Sequence, residues 1–400
     1  MVKVSLLENI YFSFIFFLLI LFSFFNLSNM DNILEEGNSM LVILFTLSLF
    51  SFSLPYLFFV FKDLFRCHVF RIGKIIFLFG IFYFFIFFSS FIFSNLDINI
   101  KGFLFSFIKN MLPFVLLLIS YLYVKRNGLT YCFDLGVLIL FLFLVYGYFS
   151  IFSVAILLDG GQHIGVAYWV LFILPLIMVN RFKFFRGIAI LLVLLVLFSS
   201  MKRAGIVAFT LSFGGYVYYM LKGSKQNLLV KSLLFLVIIA FFSYLFYFFG
   251  TYGDNYIFDR FENIGEDEGS GRLDVWAETI RLIFQSDFIG LLLGHGDNAV
   301  MNDSVLFLSA HNDFLEIIYD YGFLSFFVLI CIIFLLFILF IQLNRSKSKY
   351  VSSVFQLYII VFVFMCISHV VIYPWMVLVC FSLGAFFALI EREQLNINNN

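Results

Sequence analysis

Ser309-Ala310-His311-Asn312-Asp313-Phe314-Leu315-Glu316 lies near the close of residues 251–322, the one long stretch of the chain that does not read as membrane. This contrast decides the fold. Around the stretch, apolar runs of the roughly 20 residues needed to cross a hydrocarbon core recur from end to end. Only helices or closed barrels satisfy backbone groups in hydrocarbon, and continuous runs rather than two-residue alternation select helices.

Composition agrees. Of 400 residues, 64% are hydrophobic, 12% are charged and 64 are Phe, and the mean hydropathy is +1.09. These values exclude a soluble globular domain. The expected fold class is an all-α integral membrane protein of about 12 transmembrane helices, with one long periplasmic loop carrying short helices. The balance of 24 basic and 24 acidic residues points to no partner until the charges are placed. Cys67, Cys132, Cys331, Cys366 and Cys380 show no metal-ligand spacing and read as packing residues.

Met1-Val2-Lys3 followed by the apolar run 10–27 resembles a signal peptide, but no small-residue cleavage site follows, so an uncleaved first helix is expected. The remaining spans fall at about 40–61, 72–94, 103–124, 133–157, 165–179, 187–200, 204–221, 228–249, 323–343, 351–368 and 371–390. Three units follow: residues 1–250 with nine spans, the loop 251–322, and residues 323–400 with three spans and a tail. With alternate loops assigned to opposite sides, most of the Lys and Arg residues fall on one side. Basic loops stay in the cytoplasm. That rule puts both termini in the cytoplasm and the long loop on the opposite, outer side.

The exceptions are Lys101, Lys109, Lys202, Arg203, Arg260, Arg272 and Arg281. Positive charge kept on the outer side suggests an anionic ligand. Lys101 and Arg260 read as ordinary outer basic residues. Lys109, next to Asn110 and ahead of Pro113 in an apolar run, is either a site residue or an interfacial lysine that reaches water. Lys202 and Arg203 share a short turn between two spans. The Arg203 fork of donors suits phosphate oxygens; the alternative is a membrane-edge anchor.

The loop opens with a mixed-charge linker, 253–271. Leu273, Trp276, Ala277, Ile280, Ile283 and Phe284 then recur at helical spacing, predicting a helix that lies along the membrane surface on that face. Arg272 stands at its amino end, with Asp274, Glu278 and Arg281 on the solvated side. In Gly290-Leu291-Leu292-Leu293-Gly294-His295-Gly296 the glycines suit either backbone approach to a phosphate or a plain turn. A second loop helix is expected from about His311, capped by Ser309, burying Phe314, Leu315, Ile318 and Tyr321 and ending at Gly322. A His in the first helical turn is held neutral by the dipole and able to take a proton. Asp313 or Glu316 could act beside His311, but an exposed helix face is the preferred reading of both.

Arg203 at a short outer turn, Gly271-Arg272-Leu273-Asp274-Val275-Trp276, Gly294-His295-Gly296, and His311-Asn312 followed by nine residues and Gly322 together make the chain resemble the O-antigen ligase and polymerase superfamily. The likeness covers the later half of the chain; before about Ser199 only hydropathy matches. It departs in Ser286-Asp287-Phe288-Ile289-Gly290, which lacks the family's proline and is lengthened by Leu291-Leu292.

The resemblance implies glycosyl transfer at the periplasmic face of the bacterial inner membrane. The donor would be an undecaprenyl-diphosphate-linked oligosaccharide and the acceptor a glycan, with a chain-length regulator as a further expected partner and no nucleic acid. It assigns catalysis to His311, Arg272 and Arg203, and substrate binding to Lys202, Asn312, Arg281, Gly294 and Gly296. The arginines would hold the leaving diphosphate, and His311 would accept the attacking hydroxyl's proton. No metal or cofactor is expected. Within the superfamily a polymerase, using a second lipid-linked unit as acceptor, is preferred to a ligase acting on lipid A core. The loop is too poor in basic residues to suit a heavily phosphorylated core. A lipid-linked glycan flippase or transporter is the alternative of another class, disfavoured by the lack of internal repeats.

Overall fold

The computed structural model describes residues 6–29, 37–64, 70–93, 100–159, 167–200, 202–223, 272–370 and 374–398, with Tyr244 and Tyr247. The expected span 228–249 (those two tyrosines aside), Arg260 and the linker 253–271 lie outside these residues. The described chain is helical throughout its elements. α1 (Leu6–Asn29), α2 (Gly37–Leu64), α3 (Phe70–Phe93), α4 (Ile100–Asn127), α5 (Tyr131–Asp159), α6 (Ala167–Val179), α7 (Lys183–Ser200) and α8 (Arg203–Gly223) precede the loop. α9 (Arg272–Gln285), α10 (Phe288–Leu293) and α11 (Ala299–Asp303) are the loop helices, followed by α12 (Asp313–Arg345), α13 (Val351–Ile367) and α14 (Met376–Asn398).

Among the described residues eight helices are long and apolar enough to span a bilayer, while α6 and α13 are shorter apolar helices. This is the all-α polytopic architecture expected from the sequence. α6 is an interior helix: it is buried all the way round from Ala167 to Met178, the pattern of a helix enclosed by protein rather than lipid. α14 packs most closely on α4, α13 on α8, and α12 on α3. Aromatic rings supply much of the contact. Phe12 stacks on Tyr123, and Phe16 meets Phe381 edge-on with centroids 5.1 Å apart, geometries that add to plain area burial.

The end of the bundle opposite the loop is tied by ion pairs. Lys125 reaches Glu391 at 3.1 Å, Arg126 reaches Glu8 at 3.4 Å, and Arg181 reaches Asp134 at 2.5 Å. Basic residues that set the charge bias along the sequence therefore also join helices.

The loop helices are held to the bundle through a break in α12. At Gly322 the backbone turns to φ 80°, ψ 171°, dividing an upper segment, 313–321, from the membrane-spanning remainder. A break strands carbonyls. Here the amides of His295 and Gly296 donate to the Asp320 carbonyl at 3.0 and 2.8 Å, and His295 also donates to Tyr319. The Ser89 hydroxyl of α3 donates to the same Asp320 oxygen at 2.9 Å. Gly294, at φ 87°, lies so close that a Cβ there would stand 2.2 Å from the Asp320 oxygen, and one on Gly322 would stand 2.4 Å from the Leu292 oxygen. Neither position has room for a side chain, and both need a positive φ that glycine adopts without strain. Gly322→Ala is expected to lower stability by about 3 kcal/mol, seen as a drop in the thermal midpoint of the detergent-purified protein.

Candidate functional site

The upper segment of α12 presents its acidic side inward. Asp313, Glu316 and Asp320 are buried, whereas Phe314, Leu315 and Ile318 are only half-buried. This corrects the expectation of an exposed Asp313 and Glu316, and of a buried apolar stripe in their place. The reason is His369, just past the end of α13, which the sequence reading did not single out. Its Nδ1 lies 2.8 Å from Glu316 Oε2 and 3.8 Å from Asp313 Oδ1. The second Asp313 oxygen accepts from the Val370 amide at 2.7 Å. A buried carboxylate is retained only when paired, so the helix turns its charged side toward the cation. Asp320 Oδ1 accepts from the Val300 amide at 2.9 Å, joining α11 to the same helix.

His311 sits at the rim of this cluster. It precedes the helix rather than opening it: α12 starts at Asp313, and the cap is Asn312, whose Oδ1 accepts from the Phe314 and Leu315 amides. The expected Ser309 cap is corrected. The Ser309 hydroxyl instead lies 3.0 Å from His369 Nε2. The Asn312 amide nitrogen donates to the Cys366 carbonyl at 3.0 Å, and Trp276 Nε1 donates to the Ala310 carbonyl at 2.7 Å. Four anchors thus fix residues 309–312. They hold His311 at φ 50°, a left-handed conformation that costs a non-glycine residue of order 1–3 kcal/mol.

The His311 and His369 rings lie 4.8 Å apart. Burial pushes the His311 pKa down to about 4, reinforced by the charges of His369, Arg272 and Lys202. The neutral imidazole expected from the sequence is present, but the helix dipole is not its cause. His369 is driven the other way: although burial opposes its charge, Asp313 and Glu316 raise it to about 9. The site therefore combines a neutral imidazole with a cationic one.

Other expected site residues divide. Lys202 and Arg272, more than 60 residues apart in sequence, both act on His311 through their charge. Arg203, the first residue of α8, adjoins Lys202. Arg281 is directed elsewhere: it forms a two-pronged pair with Glu278, at 2.6 and 2.8 Å, and donates to Gln285. Glu278 in turn accepts from the Val305 amide. Gly294 and Gly296 do not hold their amides open for a phosphate; those amides cap the α12 break and the Gly290 carbonyl.

α9 keeps its expected outward apolar face and adds a second face packed on the protein. Val275, Thr279 and Leu282 face the protein, Trp276 reaches Ala310, and Leu273, Ile280 and Phe284 remain exposed. The outward stripe is what a helix resting on a membrane surface presents. Among the described residues, no three His, Cys, Asp or Glu side chains converge in a metal-holding geometry.

The two histidines oppose each other in pH dependence. Between about pH 4 and the unfolded value of 6.5, the unfolded chain binds the proton that folded His311 refuses, so stability falls as pH drops through that window. Between 6.5 and about 9, folded His369 binds the extra proton, so stability falls as pH rises. We expect a thermal-stability maximum near pH 6.5. His369→Gln should remove the decline on the alkaline side and lower stability throughout, by about 3–5 kcal/mol, because two buried carboxylates lose their cation.

Residues 188–330 match the family model described as O-antigen ligase. The match contains Lys202, Arg203, Arg272, Gly294, Gly296, His311 and Gly322, whereas His369 lies beyond it. No curated protein matches the chain. The match supports the O-antigen ligase and polymerase superfamily.

Proposed function

From that superfamily match over residues 188–330, we propose that the chain transfers a glycan from an undecaprenyl-diphosphate carrier to an acceptor hydroxyl, and that it acts as a polymerase. One observation carries the reading: a desolvated, neutral His311 lies within the electrostatic reach of Arg272 and Lys202, on a loop anchored from both sides. The three come from α9, the turn before α8, and the loop before α12. Their convergence requires the fold.

In the proposed reaction the acceptor oxygen attacks the anomeric carbon, and the carbon–oxygen bond to the diphosphate breaks. His311 takes the hydroxyl proton. Arg272 and Arg203, with Lys202, stabilise the charge gathering on the leaving diphosphate. Without donor, His311 is a weak base because it is buried and, secondarily, because cations lie near it. A diphosphate offsets those cations and stabilises an imidazolium, so donor binding raises the His311 pKa and makes it a better base. His369, held by Asp313, Glu316 and Ser309, positions the His311 loop. Asn312 acts as a positioning residue through its helix cap. Gly294 and Gly296 shape the donor site indirectly, by fixing the α12 break, and Arg281 borders it from α9.

The polymerase is favoured over the ligase by charge. In the described part of the loop, the basic side chains are Arg272, within the site, and Arg281, neutralised by Glu278. No cationic platform for a phosphorylated core is present among these residues. The proposed topology places the loop, carried between residues 251 and 322, on the periplasmic face and both termini in the cytoplasm.

Deletion of the gene in its host should leave lipid A core bearing a single repeat unit, with the long ladder gone on a gel of surface lipopolysaccharide. Bare core, with long glycan accumulating on the carrier, would establish the ligase instead. His311→Ala and Arg272→Ala should each reduce transfer by about 100-fold or more at unchanged protein level. The acid limb of kcat/KM should lie near pH 4, since that profile reports the free enzyme.

A further inference from the structure

A second polar site lies among α1, α2, α3 and α4, closed by Tyr321 of α12 and by Pro374 and Val377 at the start of α14. It is a cavity of about 180 Å³ whose wall includes Asn26, Thr46, Tyr83, Lys109, Asn110 and Tyr321. A water occupies roughly 10–15 Å³ on this measure, so the space takes about a dozen non-hydrogen atoms, the size of one hexose ring. Apolar surface from Ile86, Leu112 and Pro113 completes it.

Two features of the wall point to a ligand. The Asn110 side chain is 91% buried by its exposure of 9%, and its amide nitrogen has no hydrogen-bond partner. A buried unpaired amide is destabilising, yet the protein keeps one in this wall. Beside it, Lys109 pairs with Asp297 at 3.7 Å, and the Tyr321 hydroxyl donates to the other Asp297 oxygen. The glycine turn, whose amides are occupied in the α12 break, thus ends at Asp297, which holds two residues of the cavity wall, Lys109 and Tyr321. An ionisable group near the membrane with its partner identified is a functional signal.

The charge selects the class of ligand. Lys109 and Asp297 cancel, and among the described residues no second cation lines the wall, so the cavity does not suit a phosphate. The amides of Asn26 and Asn110, the Thr46 hydroxyl, the tyrosine rings and an aliphatic floor match the hydroxyl edge and the carbon–hydrogen face of a neutral sugar. We propose that this cavity is a subsite for one neutral pyranose ring. The eight-residue rise from Asp313 to Tyr321 is about 12 Å, a few sugar units from His311. Naming the occupant as a distal residue of the transferred glycan rests on the transfer reading; the affinity for a neutral sugar does not.

The test is saturation-transfer NMR on the purified full-length protein in nanodiscs, using methyl glycosides of glucose, galactose, mannose and N-acetylglucosamine as probes. At least one should bind the wild type and lose at least about tenfold in affinity in Asn110→Leu, the order expected for one ligand hydrogen bond. The same variant should keep or raise the thermal midpoint, because an unpaired buried amide has been replaced by an apolar group. His311→Ala should bind the sugar as the wild type does. Failure of every glycoside to bind, equal binding by Asn110→Leu, or a lowered midpoint in that variant would overturn the proposal. Sugar binding by a wild type that transfers no glycan would leave the subsite standing and contradict the transfer reading alone.

Discussion

Asp313, Glu316 and His369 meet in the interior of the loop end, with the closest approach 2.8 Å between Glu316 and the imidazole. A half-helix with three inward acids is stable there only if a cation meets it, and His369 supplies one from the end of α13. That pairing fixes the rotation of residues 313–321 about their axis. The rotation in turn sets where Asn312 caps the helix and where the chain before it must pass, which leaves His311 at the rim. Breaking the helix at Gly322 lets this charged segment take an axis of its own. The carbonyls so released are satisfied by the Gly294 to Gly296 turn and by Ser89. Helix break, glycine turn and buried ion cluster form one interlocked unit.

Electrostatics follow from that unit. Burial and three neighbouring cations keep His311 neutral, while two carboxylates keep His369 charged. Two identical side chains 4.8 Å apart thus have opposite roles, separated by which of them the acids reach. An anionic ligand entering beside Arg272 and Lys202 changes the balance at His311 and leaves His369 unaltered in its carboxylate clamp. In the proposed reaction, coupling of donor binding to proton acceptance needs no moving part.

Much of this was legible in the chain. Apolar runs identify the bundle, because length and continuity are all a spanning helix needs. His311, Arg272 and Lys202 stand out because charge is scarce, and the fold does bring them together. The orientation of α12 above Gly322 was not legible. Phe314, Leu315, Ile318 and Tyr321 make a plausible apolar stripe, and nothing local reveals that Asp313, Glu316 and Asp320 turn inward. That depends on His369, 53 residues beyond Glu316, in a segment that reads as an interruption between two spans. The pairing of Asp297 with Lys109 is hidden for the same reason, since its partners are nearly 190 residues apart. A His-Pro-containing interruption between apolar helices, read beside three acids at helical spacing, was the available signal.

The central claim is that this site drives glycan transfer by releasing a diphosphate carrier. Its most direct measurement is undecaprenyl diphosphate formed by the purified protein in proteoliposomes supplied with the lipid-linked glycan of its host, comparing the wild type with His311→Gln and Arg272→Ala. The account predicts carrier release in step with glycan elongation by the wild type, and loss of both in each variant. Elongation by folded His311→Gln at the wild-type rate, or movement of the glycan lipid across the bilayer without carrier release, would contradict it.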